Sequence, residues 1–199
     1  PQEIKWDPQQ LRNTLQLYAD LSRQNWDADV IVWPENAATA FYHQISDGYL
    51  ASLGQEARSH NTDIILGLPV LDENGEDYYN SMVSLTEQPV FYHKRHLVPF
   101  GDYVPFETLR GLIKFFDLPM SGFVPGATGQ PQMMLAGQPV GVSICYEDAF
   151  SSEVLDTVPA ATLLINATNN AWYGDSFAPA SAYFVLEPAD FTQSWFRNR

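Results

Sequence analysis

Cys145 is the only cysteine among 199 residues, so the chain has no internal disulfide and carries one thiol whose use must be explained. It closes the apolar run Pro139-Val-Gly-Val-Ser-Ile-Cys145. Two other reactive side chains occupy the same kind of position. Glu35 follows Asp29-Val-Ile-Val-Trp33 and Pro34, and Lys94 follows the run from Pro89 to His93. A thiol attacks a carbonyl carbon as its thiolate, so it needs a base or a cationic neighbour, and the tetrahedral intermediate needs a donor for its oxyanion. A Glu, a Lys and a Cys supply these roles. Singly, each has a plainer use: a lone cysteine at a strand end is usually a small buried apolar residue, Glu35 can cap a turn, and Lys94 can stand in solvent.

The elements that must position these side chains are legible from periodicity. Asp7 before Pro8 reads as an N-cap with proline at the first helical position, and Leu11, Leu15, Tyr18 and Leu21 recur at helical spacing, predicting a helix to about Asn25. Asp29 to Trp33 predicts a strand buried on both faces, stopped by Pro34. Tyr49, Leu50, Leu53 and Ala57 predict a helix from Ser46 to His60, and Asp63 to Val70 a second buried strand. Asn74-Gly75 marks a turn, followed by strands over Tyr78 to Leu85 and Pro89 to His93. Beyond Gly126, strands are expected at Pro139 to Cys145 and Ala161 to Asn166, with a helix near Ser152 to Thr157. Helices alternating with strands indicate an α/β domain, in which ligands bind beyond the carboxyl ends of strands. Glu35, Lys94 and Cys145 all fall there.

Leu97 to Pro125 breaks the pattern. Phe100, Tyr103, Phe106, Phe115, Phe116 and Phe123 crowd among four prolines with few charges, around a helix predicted over Glu107 to Asp117. The segment either packs onto the core or forms an interfacial arm, since clustered aromatic residues mark lipid or partner contact.

Composition narrows the partners. With 45% apolar and 17% charged residues the chain is large enough to bury one core, and it lacks the signature of disorder. Ten Lys and Arg against 24 Asp and Glu give a net charge of −14, which disfavours nucleic acid. The apolar runs, such as Val30 to Trp33 and Leu163 to Ile165, are far shorter than the roughly 20 residues of a spanning helix. The start at Pro1 reads as that of an excised or processed piece. His93 and His96 have no third ligand nearby, so no metal site is expected. Asp72, Glu73, Glu76 and Asp77 read as a solvated hairpin tip.

Three blocks carry a resemblance. Ile-Val-Trp-Pro-Glu at Ile31 to Glu35, Tyr-His-Lys-Arg-His-Leu-Val-Pro-Phe-Gly-Asp-Tyr-Val-Pro-Phe-Glu at Tyr92 to Glu107, and Gly-Val-Ser-Ile-Cys-Tyr-Glu-Asp at Gly141 to Asp148 resemble the catalytic blocks of the nitrilase, or carbon-nitrogen hydrolase, superfamily. The middle block, with Phe-Phe-Asp-Leu-Pro-Met at Phe115 to Met120 and Asn-Asn-Ala-Trp-Tyr-Gly at Asn169 to Gly174, is similar to the apolipoprotein N-acyltransferase branch, over about Trp6 to Gly174.

The resemblance implies a single nitrilase-like α-β-β-α sandwich over residues 1–174, incomplete at its C-terminus, and a ping-pong acyl transfer. Cys145 would take an acyl chain from a phospholipid as a thioester and pass it to the α-amino group of a diacylglyceryl apolipoprotein. Glu35 would be the general base, and Lys94 would hold the oxyanion together with a backbone N–H beside Cys145. Tyr146 and Glu147 flank the nucleophile, and Asp102 stands where the family usually has a second supporting Glu. No cofactor is implied. The same resemblance implies a monomer on the periplasmic face of the bacterial inner membrane, with Leu97 to Pro125 touching the bilayer and the family's membrane helices absent from these residues. Phe177 to Arg199 does not match the family's continuation, so residues 175–199 are expected to be a divergent tail from a truncated or frame-shifted reading frame. Two alternatives stay open: a soluble carbon-nitrogen hydrolase using the same three residues, and an inactive fragment.

Overall fold

The structure is a computed structural model that describes residues 8–99, 101–103, 122–157 and 160–169. The helix expected over Glu107 to Asp117, most of the aromatic segment, the end of the Asn169 to Gly174 block and the tail from residue 175 lie outside the described residues.

Helix α1 (Pro8–Arg23) opens on its proline and turns Leu15 and Ala19 into the core, with Leu11 and Tyr18 packed beside them. Tyr18 stacks on Trp33 at 5.0 Å between ring centroids, and the Trp33 indole N–H donates to Ser22 Oγ at 2.9 Å. The helix thereby fixes Trp33, just past β1 (Val30–Val32) and two residues before Glu35. The helix expected from Ser46 begins earlier, as α2 (Tyr42–Ile45), and reaches α3 (Ala51–Ser59) through a π-helical turn over Ser46–Leu50.

Strands β2 (Asp63–Leu71), β3 (Tyr78–Ser84) and β4 (Phe91–His93) complete a sheet in the order β1-β2-β3-β4. The β1–β2 pair is parallel and the next two pairs are antiparallel, so β1, β2 and β4 run the same way. That direction sends the chain out of β1 and β4 at the same end of the sheet, bringing Glu35 and Lys94 together. A second sheet, β5-β6-β7, is formed by Met133–Leu135, Gln138–Ile144 and Leu163–Ala167, with β6 and β7 parallel.

The two-residue alternation of strands sorts β2 between two cores. Ile64, Leu66 and Leu68 pack with the helices on one face. Ile65 joins Met82 and Tyr92 on the other, against Met133, Leu135, Val140, Val142 and Ile144 of the second sheet. Helix α4 (Ser151–Thr157) packs against β6 on the far side. The layers run helix, sheet, sheet, helix, as the sequence resemblance implied.

Strand β1 departs from expectation. It was expected to be buried on both faces, yet Val32 is 42% exposed, because β1 is the last strand of its sheet and pairs only with β2 among the described residues. Strand β5 had no counterpart in the sequence reading, since Met133 and Leu135 inward with Met134 outward is an alternation too short to stand out. No helix among the described residues is long and apolar enough to cross a membrane.

Candidate active site

Glu35 is buried just past β1, in a turn where Asn36 adopts a positive φ of 49°. The turn presses on β2 at Gly67, where a Cβ would stand 2.6 Å from Asn36 N and 2.7 Å from Glu35 Cα. Only a residue without a side chain allows the approach. The Glu35 carboxylate accepts from Asn80 Nδ2 (2.7 Å) and Lys94 Nζ (3.2 Å) on Oε1, and from the Asn169 backbone N–H (3.1 Å) on Oε2.

Lys94 continues directly from β4 and is 1% exposed. Its backbone N–H donates to Asn80 O and its carbonyl accepts from Gly126 N, both at 2.8 Å. One residue earlier the Gln130 side chain closes on the free edge of β4. Its Oε1 takes the His93 N–H and its Nε2 donates to His93 O, both at 2.7 Å. Lys94 Nζ lies 2.8 Å from Asp102 Oδ2 as well as 3.2 Å from Glu35. Burial alone lowers the ammonium's pKa, but the two carboxylates outweigh it and hold the pKa above the usual lysine value. Asp102 is itself fixed by the Val98 N–H on Oδ2 (2.8 Å), while its carbonyl accepts from Phe123 N (3.0 Å). The shorter Asp, where the family usually has Glu, therefore reaches the lysine.

Cys145 stands where β6 gives way to a 3-10 turn over Cys145–Ala149, in the left-handed region at φ 54°. That conformation costs a non-glycine residue roughly 1–2 kcal/mol, and the neighbours hold it. Asn166 Nδ2 donates to the Cys145 carbonyl and to Ser143 Oγ, both at 3.0 Å, and Ser143 Oγ in turn donates to Asp148. Burial, then the charge of Glu35, raise the thiol's pKa above its ordinary value; Lys94, Thr168 and the Tyr146 N–H pull the other way without prevailing. The balance disfavours the thiolate, and the charges of both Glu35 and Lys94 act on the sulfur.

Glu147 ties the Cys145 turn to the Lys94 loop. It is 1% exposed and accepts four hydrogen bonds: Arg95 N (2.6 Å) and His96 N (3.2 Å) on Oε1, Tyr92 Oη (2.9 Å) and Ile144 N (2.7 Å) on Oε2. Tyr146 points the other way, 56% exposed, its ring edge-on to Phe150.

The structure thus gathers Glu35, Lys94 and Asp102 into one buried cluster, with the half-buried Cys145 within electrostatic reach of Glu35 and Lys94, Glu147 behind and Tyr146 outside. His93 and His96 diverge: His93 Nδ1 meets Ser81 Oγ at 2.7 Å, whereas His96 stacks on Phe150 and faces Glu153. No group of three metal-ligating side chains occurs among the described residues. At the acidic hairpin tip, Asp72 Oδ1 accepts the backbone N–H groups of Glu76 and Asp77. Four positioning residues lay beyond the sequence reading: Gly67, Asn80, Gln130 and Asn166. Each acts through contacts between distant segments; a glycine inside an apolar strand is the one local hint, and nothing local marks the other three.

The carbon-nitrogen hydrolase family model matches residues 1–189. Among curated sequences, the apolipoprotein N-acyltransferase of Methylococcus capsulatus is 44% identical over 180 residues, covering 90% of this chain and 36% of the relative. That of Nitrosomonas europaea is 41% identical over 181 residues, with the same coverage. The chain thus spans little more than a third of these relatives. Among solved structures, a carbon-nitrogen hydrolase from Helicobacter pylori superposes with a TM-score of 0.59 at 16% identity, over 79% of this chain and 55% of that one. The C. elegans NitFhit protein does so with a TM-score of 0.62 at 16% identity, over 83% and 43%.

Proposed function

The chain belongs to the carbon-nitrogen hydrolase family, and from that premise we propose that it is the catalytic domain of an apolipoprotein N-acyltransferase working on the periplasmic face of a bacterial inner membrane. The observation that carries the reading is the buried Lys94, gripped by Glu35 and Asp102 beside the Cys145 thiol. The 41–44% identity to N-acyltransferases supports an acyl group as the group transferred.

In the first half-reaction Glu35 takes the Sγ proton while the S–H electron pair attacks the ester carbonyl of a phospholipid. Two of the three Lys94 N–H groups point at carboxylates; the third, with the Tyr146 backbone N–H beside the sulfur, holds the oxyanion. The C–O bond breaks, the Glu35 proton passes to the departing lysophospholipid oxygen, and an acyl thioester remains on Cys145. In the second half-reaction the α-amino group of a diacylglyceryl apolipoprotein attacks the thioester and gives a proton to Glu35. The C–S bond breaks and the thiol recovers its proton. No cofactor takes part.

A neutral resting thiol suits this order. The nucleophile is generated only when a carbonyl occupies the site, so it is guarded against adventitious oxidation. Leu97 to Pro125 supplies the membrane contact, because a net charge of −14 leaves apolar side chains to make it. The domain acts as a monomer, without nucleic acid.

The test is transfer itself. With phospholipid in detergent micelles and a diacylglyceryl lipopeptide, the lipopeptide should gain the mass of one acyl chain with the wild type and none with Cys145→Ala. Release of free fatty acid without transfer would assign the chain to hydrolysis instead.

A further inference from the structure

We propose that Asn80 is a positioning residue that selects which oxygen of Glu35 receives the thiol proton. The inference rests on the reading of Glu35 as base and Cys145 as nucleophile. Asn80 lies in β3, opposite Pro69 of β2, and is wholly buried. It touches all three charged groups of the cluster, Lys94, Glu35 and Asp102. Its carbonyl accepts the Lys94 N–H at 2.8 Å, and its Nδ2 donates to Glu35 Oε1 at 2.7 Å and to Asp102 Oδ1 at 3.4 Å.

The consequence lies in how the four acceptor positions of the Glu35 carboxylate are filled. Oε1 takes two donors, Asn80 Nδ2 and Lys94 Nζ, and is saturated. Among the described residues Oε2 takes the Asn169 N–H alone and keeps a lone pair. The proton leaving Cys145 Sγ therefore binds Oε2, and the S–H electron pair stays on sulfur. Without the Asn80 amide, Oε1 would offer a second basic position turned toward Lys94, and the carboxylate would be held only by Lys94 on one oxygen and the Asn169 N–H on the other.

A second observation separates this role from packing. Asn80 Oδ1 is buried and has no hydrogen-bond partner, a condition that costs stability and that an apolar side chain of the same size avoids. Turning the amide over would satisfy nothing, because Oδ1 would then face the oxygens of Glu35 and Asp102. The amide is retained for what its nitrogen holds.

The readout is the burst of p-nitrophenolate from p-nitrophenyl butyrate, which reports acylation of Cys145, followed across pH. The ionisable groups around Glu35 are Lys94, Asp102 and Cys145. Asn80→Leu should slow the burst rate constant on the order of 100-fold, the penalty of a misplaced reacting group, with the burst amplitude intact. Asn80→Asp, of the same shape, places a third carboxylate against Glu35 and should move the acid limb of the profile to higher pH. A structural role would lower the amplitude, which counts folded sites, and leave the rate constant and the limb where they are. Wild-type rate and limb in both variants, or failure of both to fold, would overturn the proposal. Glu35→Gln and Cys145→Ala keep the two levels apart. If either retains the wild-type burst, the functional reading fails; if both lose it while the Asn80 variants do not, only the role of Asn80 fails.

Discussion

Gly67 of β2 touches the backbone of Glu35 so closely that a Cβ would stand 2.7 Å from Glu35 Cα. The obstacle is backbone, with Pro34 O and Asn36 N equally near, and cannot swing aside as a flexible side chain would. Gly67→Ala should push the Glu35 turn off β2. Overpacking of this kind costs about 1–3 kcal/mol, and a displaced base on the order of 100-fold in rate. The expected result is a folded variant, modestly destabilised in urea, whose acylation rate falls far more than its stability. Wild-type acylation would show that the turn does not need the contact.

Glu35→Gln is expected to make the Cys145 thiol easier to ionise and yet slower to transfer an acyl group. The Glu35 charge is second only to burial in raising the Cys145 thiol's pKa, while Lys94 lowers it. Removing that charge should shift the pH midpoint for alkylation of Cys145 by iodoacetamide downward. Acyl transfer should fall by about 10²–10⁴, the usual contribution of a positioned base. An upward shift would mean that Glu35 does not act on the sulfur.

Lys94→Met leaves Glu35 and Asp102 buried without their cation, a loss of about 3–5 kcal/mol by comparison with other broken buried pairs. The sign of the pH dependence follows from the raised pKa of the lysine. A base held above its ordinary value contributes stability that is fully present below that value and lost as pH rises through the raised one. The gap between wild type and variant in urea unfolding should accordingly be full at neutral pH and narrow only in strong alkali. A gap that already closes between pH 6 and 9 would contradict the clamp.

Glu147→Gln tests the tie between the two loops. Four donors converge on this carboxylate, and an amide must turn an NH2 toward two of them. Unfolding free energy should drop by about 2–3 kcal/mol. Burial, only partly offset by these donors, raises the Glu147 carboxyl's pKa. The wild type therefore recovers stability as pH falls toward the ordinary glutamate range, and the glutamine variant lacks that acid-side gain. Equal stability of the two across pH would remove Glu147 from the framework.

How much of this was legible in the sequence depends on whether the signal was local. The buried strands left runs such as Asp63 to Val70, and the reactive residues just past them, Glu35, Lys94 and Cys145, could be read without knowing what they meet. That all three meet follows from strand direction, which apolar runs do not encode. Asn80 was invisible because a single Asn in Tyr-Tyr-Asn-Ser-Met-Val-Ser looks like any polar strand residue; its partners lie 45 and 22 positions away. Gln130 and Asn166 act across similar separations. Gly67 sits inside an apolar strand, where a close approach is a fair guess, but which segment approaches is not. Val32 was read as buried because a β-branched run looks alike at a sheet's centre and its edge.

The claim that Cys145 carries the acyl group as a thioester is tested most directly by the intact mass of the chain after incubation with phospholipid in detergent micelles and no acceptor. The account predicts an added mass of one acyl chain, absent from Cys145→Ala and removed by hydroxylamine. An adduct that persists in Cys145→Ala or resists hydroxylamine, or no adduct on a chain shown to be folded by circular dichroism, would contradict it.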